Sequence, residues 1–183
     1  VASQNHTVFP GGKGLNQSLA ASKAGADVHH IGCIGEDGDW LKDVLAEAGV
    51  DVANVRQVEP RSGHAVIQVD STGQNSIVIS GGANRSIQAL DRDVAFALLQ
   101  PGDWLLLQNE INDIEAVLKE ASDRDVNIAF NVAPVDGREQ NYCLNNVALL
   151  IVNEVEAAAL AQEADPETAF EALCERYATA HIV

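Results

Sequence analysis

Methionine is absent from all 183 residues of the sequence, which is unusual for a complete natural chain. The last residues, 180–183, have the pattern of the opening of a buried strand. We therefore expect a fragment, with pieces missing at both ends. The alternative is that modified methionines have been left out of the sequence, in which case some residues that are adjacent in the sequence are not adjacent in space.

Basic residues are also scarce. The chain has 11 lysines and arginines against 27 acidic residues, a formal net charge of −16 and an isoelectric point of about 4.4. An acidic surface does not attract nucleic acids or anionic membranes, so the balance argues against both as partners. Long apolar runs are missing, and no segment approaches the length of about 20 residues that a transmembrane helix needs.

Cysteine is rare, and its three copies, Cys33, Cys143 and Cys174, are far apart in the sequence. Their spacing fits neither a disulfide framework nor a metal site. Thiols of this kind are typical of the reducing cytoplasm, so we predict a cytoplasmic protein. We expect the three thiols to be small core residues.

The most distinctive stretch runs from Pro10 to Gly25, where three glycines and a lysine precede a helical pattern. Glycine allows positive φ and the close approach of a ligand. The start of the helix presents unpaired N–H groups and the positive end of the helix dipole. Lys13 adds a mobile charge, and Asn16 adds an amide that both donates and accepts hydrogen bonds. The stretch suits an anionic or hydroxyl-rich ligand.

This stretch differs from two familiar phosphate-binding loops. Lys13 is followed by Gly14, where a Walker loop has serine or threonine. Gln17 stands where the dinucleotide fingerprint has its third glycine. On these residues alone, an ordinary loop-to-helix turn without a ligand is an equally good explanation.

Strand and helix patterns alternate over most of the chain, which is typical of βαβ units. The predicted strands cover residues 27–34, 104–108, 126–131 and 148–152, and the strand at 104–108 is expected to be buried. The predicted helices cover residues 14–24, 37–48, 90–99 and 113–121, with two more from about 153 and 166. The sequence therefore predicts an α/β fold with a doubly wound, mostly parallel sheet.

Two short strand patterns, 63–70 and 74–80, interrupt this alternation. They flank a Ser-Thr-Gly turn and predict a β-hairpin. Polar residues alternate along them, so at least one face is expected to contact water. Residues 1–9 also alternate loosely and predict an edge strand that enters the glycine stretch.

Polar residues follow three of the predicted parallel strands, at 108–110, at Asn131 and at 153–156. Ligands of doubly wound sheets bind beyond the carboxyl ends of the strands. We therefore expect these residues to converge on one cleft with the glycine stretch, if the strand order allows it. Two acids nearer the start, Asp37 and Asp39, are most simply explained as helix-start residues favoured by the helix dipole.

In this order, the motifs resemble those of the ribokinase-like sugar kinases of the PfkB family. The series is specific, although each motif alone is weak, and it covers essentially the whole chain. It consists of Gly-Gly-Lys-Gly-Leu-Asn-Gln at 11–17, Gly-Glu-Asp-Gly at 35–38, Ser-Gly-His-Ala-Val-Ile at 62–67, Gly-Ala-Asn at 82–84, Gln-Asn-Glu at 108–110, Asn-Val-Ala-Pro at 131–134 and Asn-Glu-Val-Glu at 153–156.

The resemblance implies a partial ribokinase-like kinase domain over residues 1–183, with a small β lid whose strands lie within 1–9 and 63–80. It implies phosphorylation of a sugar hydroxyl with ATP and Mg²⁺, and it allows a monovalent cation as well. Small-molecule sugar and MgATP are the implied partners. In the family the lid often pairs between subunits, which predicts a homodimer here.

The resemblance also assigns roles to residues of the sugar site. Gly12, Lys13 and Asn16 would contact sugar hydroxyls, and Gly11 and Gly12 would act as the hinge of the lid. Glu110 would accept hydrogen bonds from the sugar. Sugar recognition needs groups that donate and groups that accept in a fixed geometry, which these residue types supply.

For the phosphate side, the resemblance places Asn153 near the transferred phosphate, and Glu156 against water bound to magnesium. The spacing of the two residues is also that of a helix N-cap and its reciprocal partner. The local pattern favours the capping pair, and both roles can hold together.

Two elements of the family pattern are missing from this sequence. Family members carry a sugar-binding aspartate on a first strand, and a later Gly-Ala-Gly-Asp motif that supplies the anion hole and the catalytic base. No catalytic residue is therefore assigned within 1–183, and most of the adenine site is expected outside it. A nucleoside kinase of the same fold, or a non-catalytic sugar-binding protein on this fold, remain alternatives.

Overall fold

The computed structural model describes residues 6–70, 72–124 and 126–183. The chain divides into two compact units, residues 1–84 and 85–183. In the described residues every strand pair is parallel except one hairpin. The predicted α/β class with mostly parallel sheets is therefore confirmed.

The first unit combines two helices with a parallel pair of strands. These are the helices α1 (Lys13–Lys23) and α2 (Asp39–Glu47) and the strands β1 (Gly32–Ile34) and β2 (Val55–Gln57). The helices contribute apolar residues that recur at helical spacing, Leu15 and Leu19 on α1 and Leu41 and Leu45 on α2, to one shared cluster. The buried members of this cluster are Leu15, Leu45 and Val50.

The strand predicted over 27–34 is shorter than expected. Only its last three residues form β1, and His29 pairs with Asp51 in an isolated parallel bridge. The turn that follows is a short 3₁₀ helix, Glu36–Gly38, which leads directly into α2.

The predicted hairpin is present, with antiparallel strands β3 (His64–Val69) and β4 (Asn75–Ser80). All 12 of its strand residues are exposed, so both faces contact water, which agrees with the expectation of at least one. In the described part of the predicted edge strand, residues 6–9 form no strand. The rest of that prediction, residues 1–5, lies outside the described residues.

The second unit is built around a four-stranded parallel sheet. Its strands lie side by side in chain order, β5 (Trp104–Gln108), β6 (Asn127–Asn131), β7 (Val147–Ile151) and β8 (His181–Ile182). Its helices are α3 (Ala89–Leu98), α4 (Ile114–Ser122), α5 (Glu154–Ala161) and α6 (Pro166–Arg176). Two further short 3₁₀ helices are present, Gly82–Arg85 between β4 and α3, and Arg138–Asn141 before β7.

The core of the second unit centres on β6, where Ile128 and Phe130 are almost fully buried. Helix α4 packs against it through Ile114 and Leu118. The prediction of a buried strand at 104–108 was wrong in part, because β5 is the first strand of this sheet and Trp104 is 54% exposed. Neighbours on both sides bury a strand, and an outer position leaves some of its side chains open.

The three cysteines are free thiols, and only Cys33 is buried. The expectation that all three lie in the core was therefore wrong, because Cys143 lies in an exposed loop and Cys174 on the exposed side of α6. Within the described ranges, no helix has the length and apolar character needed to cross a membrane.

Candidate functional site

The glycine stretch forms the start of α1. Gly12 precedes the helix with φ 96° and ψ 145°, a conformation that residues with a side chain rarely adopt. Gly12 has no side chain to cap this helix start, and a Cβ placed on Gly11 or Gly12 would meet nothing within 4 Å. There is therefore room beside the two glycines.

Lys13 and Asn16 lie three residues apart on α1 and so share one face of the helix. Lys13 is half-buried and Asn16 is exposed, whereas Leu15 between them is buried in the core. The helix therefore turns its apolar side inward and presents the predicted sugar-binding side chains outward, beside the open helix start.

Contacts further along α1 fix it to the first unit. Ser18 Oγ lies 2.8 Å from His30 Nδ1, and Ser22 Oγ donates a hydrogen bond of 2.6 Å to the carbonyl oxygen of Ala48. Burial lowers the pKa of His30, which favours its neutral form. His30 therefore serves as a partly buried contact between α1 and the segment before β1.

At the end of β5, Asn109 is fully buried. Its Nδ2 donates to the carbonyl oxygen of Pro134 at 2.6 Å, and its Oδ1 accepts from the hydroxyl of Tyr142 at 2.8 Å. These bonds tie the end of β5 to the loop that follows β6. Glu110, the next residue, is half-buried and is carried by this fixed segment.

The loop after β6 contains an ion pair that the sequence reading missed. Nη2 of Arg138 lies 2.8 Å from Oδ2 of Asp136 and 3.5 Å from Oδ1 of Asn109. The bond from Arg138 lowers the pKa of Asp136, and burial raises the pKa of Tyr142. The Asp-Gly dipeptide at 136–137 marks a turn, but no local pattern links Arg138 or Tyr142 to Asn109.

Asn153 and Glu156 form the capping pair that their spacing predicts. The backbone N–H of Glu156 donates to Asn153 Oδ1 at 2.9 Å, and the backbone N–H of Asn153 donates to Glu156 Oε2 at 2.9 Å. Asn153 Nδ2 also donates to Glu156 Oε1 at 3.0 Å. Glu156 is 7% exposed, whereas Asn153 is exposed at the helix start.

The Glu156 carboxylate can still serve a cation through water. Each of its oxygens accepts one bond from Asn153 and has two lone pairs, so each keeps one acceptor site. Mg²⁺ usually keeps several of its waters in proteins. Among the described residues, no group of three or more acidic, histidine or cysteine side chains could hold a metal directly. The site fits a water-mediated contact and not a complete protein cage.

A surface depression of about 380 Å³ lies beside this capping pair, at the carboxyl ends of β7 and β8. Residues of α5 and α6 contribute to it, together with the residues that directly follow β7 and β8. Its lining consists of Val152, Asn153, Glu154, Ala157, Pro166, Phe170 and Val183. The start of α5 is therefore accessible from one side.

The parallel register aligns the strand ends of the second unit. Gln108 is level with Asn131, and Asn131 is level with Ile151. The residues that follow these strands, including Glu110 and Asn153, therefore lie at one edge of the sheet, as predicted. The glycine stretch belongs to the other unit, so its convergence with Glu110 stays a prediction.

Comparison with known proteins gives three consistent findings. The profile of the family described as pfkB family carbohydrate kinase matches residues 1–183. A ribokinase of Haemophilus influenzae is 33% identical over 176 residues, which cover 92% of this chain and 57% of that protein. A ribokinase structure from Thermotoga maritima matches 99% of this chain and 61% of its own, with a TM-score of 0.80 and 32% identity.

A further structure, Arabidopsis thaliana ribokinase complexed with ribose and ATP, matches 100% of this chain and 61% of its own, with a TM-score of 0.77 and 26% identity. The chain spans about half the length of the curated relatives it matches. The family profile, the relatives and the fold agree with the series of motifs along the sequence. The chain belongs to the pfkB family of carbohydrate kinases.

Proposed function

We propose that the natural protein phosphorylates a hydroxyl group of a sugar with ATP, as a kinase of the ribokinase type. The observation that carries this proposal is the open start of α1, which presents Lys13 and Asn16 on one helix face beside two glycines. The similarity to proteins named ribokinase over 92% of the chain supports the same reading.

In this proposal the sugar lies against the start of α1. Gly11 and Gly12 let the backbone approach the ring, and they act as the hinge of the hairpin lid. Lys13 donates to hydroxyl groups, Asn16 both donates and accepts, and Glu110 accepts. A set of this kind fixes the orientation of several hydroxyls at once, which a single charge cannot do.

On the phosphate side, Asn153 at the start of α5 would lie near the transferred group, and Glu156 would hold water bound to Mg²⁺. Bound magnesium would neutralise the negative charge of the phosphate groups. Phosphoryl transfer asks the protein mainly for positioning and charge stabilisation, and the rigid capping pair supplies a fixed carboxylate for that purpose. We place the base that takes the hydroxyl proton outside residues 1–183.

We also propose that the β3–β4 hairpin is the lid of this site and that it pairs with a second copy of the protein. Its exposed apolar side chains support this proposal, because burying an apolar surface of this kind against a second copy would stabilise it. They are Val66, Ile67, Val69, Ile77, Val78 and Ile79. The three free thiols support a cytoplasmic location.

The test is a coupled assay of ADP release on the natural protein, expressed over its complete reading frame, with ATP, Mg²⁺ and a panel of pentoses, hexoses and nucleosides. Asn16→Ala should raise the KM for the sugar about tenfold and leave the KM for ATP unchanged, because it removes hydrogen bonds to the sugar alone. Asn145→Ala, at an exposed position of the second unit, is the matched control.

Other outcomes would change the proposal. Turnover of nucleosides alone would favour a nucleoside kinase, and sugar binding in calorimetry without turnover would favour a sugar-binding protein. Residues 1–183 expressed alone should show no sugar phosphorylation. Turnover by that polypeptide would mean that the catalytic base lies within it.

A further inference from the structure

One hydrogen-bond network fastens the beginning of the hairpin to the first unit. Ser62, two residues before β3, is buried. Its hydroxyl oxygen accepts the N–H of Gly35 at 2.9 Å, and its own N–H donates to Oδ1 of Asp37 at 2.8 Å. The Asp37 side chain, in the short 3₁₀ helix before α2, therefore holds the chain 25 residues later, where it enters the hairpin.

The same network reaches the other end of the hairpin. Asp37 Oδ2 accepts Nε of Arg61 at 3.0 Å, and the carbonyl oxygen of Arg61 accepts the N–H of Ala83 at 2.8 Å. Ala83 lies three residues after β4 and is fully buried. We call Gly35, Asp37, Arg61, Ser62 and Ala83 the hairpin latch.

Close packing leaves the latch little freedom. A Cβ on Gly38 would collide with the hydroxyl of Ser62, and a Cβ on Gly82 would collide with the carbonyl oxygen of Arg61. Gly82 also has φ 46°, in the region that favours glycine. Gly38 and Gly82 therefore both lie directly against residues 61–62, and a larger residue at either glycine would push these segments apart.

Beyond the latch, nothing in the described residues buries the hairpin, whose 12 strand residues are all exposed. Its direction relative to the first unit is therefore set at its base. We infer that Asp37 is a positioning residue that aims the hairpin over the bound sugar through Ser62 and Arg61. This inference rests on the proposed function, in which the hairpin is the lid of the sugar site.

The charge of Asp37 suits this role. The hydrogen bond from the backbone of Ser62, followed by the bond from Arg61, lowers the pKa of Asp37 to about 2. The carboxylate therefore stays ionised at every pH at which a cytoplasmic enzyme works. Glu36 and Glu59 line the same surface depression as Asp37 and Arg61, so Arg61 lies among three acidic side chains there and pairs with Asp37.

The test compares Asp37→Ala and Asp37→Asn with Asp39→Ala in the natural protein over its complete reading frame. Asp39 is exposed on the first turn of α2, so its variant makes the same charge change outside the latch. Asp37→Ala should raise the KM for the sugar about tenfold, because a charge-assisted bond is lost, and leave the KM for ATP unchanged. Asn retains an oxygen that can accept from Ser62, so Asp37→Asn should recover part of the loss.

Amide hydrogen exchange is the second readout and does not depend on activity. In Asp37→Ala, the N–H groups of Gly35 and Ser62 and those of the hairpin strands should exchange at least about tenfold faster, while α4 and β6 stay unchanged. Exchange rates and a sugar KM equal to those of Asp39→Ala would overturn the inference, as would equal rises in both KM values. If Asp37→Ala does not fold, Asp37→Asn and Arg61→Gln supply the same comparison.

The two proposals fail in different ways. A wild-type protein that phosphorylates no sugar refutes the proposed function, and the exchange rates then decide whether Asp37 fixes the hairpin. A wild-type sugar kinase whose Asp37 variants behave as Asp39→Ala does refutes the latch alone.

Discussion

The helices α1 and α5 both begin next to predicted binding residues, but their starts are built in opposite ways. Asn153 and Glu156 close the start of α5 with three hydrogen bonds between them. Gly12 leaves the start of α1 without a side-chain cap. A helix start has four N–H groups without helical partners, so capping stabilises it at the cost of its capacity to bind a ligand.

The difference indicates a division of labour. The start of α5 is rigid by itself and holds its carboxylate in place with or without a ligand. The helix α1 is held by contacts further along, at Ser18 and Ser22, and its start has room beside its two glycines. Substitutions at either helix start, with the free energy of unfolding as the measured quantity, therefore test the comparison.

The largest effect on stability is expected at Glu156. Glu156→Ala removes the acceptor for two N–H groups of Asn153 and should lower the free energy of unfolding by about 1–3 kcal/mol. Urea unfolding followed by circular dichroism measures this change. Glu154→Ala, on the same turn but exposed, is the control and should cost less than about 0.5 kcal/mol. Equal losses in the two variants would contradict a structural role for the capping pair.

A smaller effect is expected at Gly12. Gly12→Ala places a Cβ at φ 96°, which should cost about 1–2 kcal/mol of backbone strain although nothing obstructs the side chain. Gly11→Ala has equal room and no positive φ, so it should leave the free energy of unfolding nearly unchanged. The two variants together separate strain from crowding in thermal melts, and the same loss in both would rule out strain at Gly12.

The smallest effect concerns pH. Burial lowers the pKa of His30 from 6.5, so the folded state binds this proton less readily than the unfolded chain does. The stabilising contribution is therefore complete above about pH 6.5 and is lost as the pH falls toward the folded pKa. Urea unfolding between pH 5 and 8 should show this loss. His30→Gln should remove that part of the pH dependence, whereas His6→Gln, at an exposed position, should retain it.

Local patterns in the sequence predicted the elements that depend on near neighbours. The capping pair of Asn153 and Glu156 spans three residues, and the alternation of the hairpin needs only its own turn. The helix predicted over 14–24 likewise agrees with α1, Lys13–Lys23, to within one residue at each end. In these elements, the residues that determine the structure lie within one turn or one hairpin of each other.

The contacts that the sequence did not reveal join residues far apart in the chain. Tyr142 meets Asn109 across 33 residues, and Asp37 meets Ser62 across 25. The neighbours of Asp37 in the sequence indicate only a helix-start acid. Its partners Arg61 and Ser62 reach it because the chain returns to the 3₁₀ helix just before it enters the hairpin. The exposure of Trp104 was missed for a similar reason, because the amino-acid composition of a strand does not show whether that strand is an outer or an inner one of its sheet.

Few amino acids can replace Asn109 at the end of β5. Asp has the same shape, but it would place a second oxygen against the carbonyl oxygen of Pro134, where Nδ2 now donates. Leu has a similar volume, but it would leave the buried hydroxyl of Tyr142 without its acceptor. Apolar core residues such as Leu107 tolerate exchange for others of similar volume. Position 109 therefore accepts fewer amino acids than the apolar core beside it, although no atom of Asn109 reaches the surface.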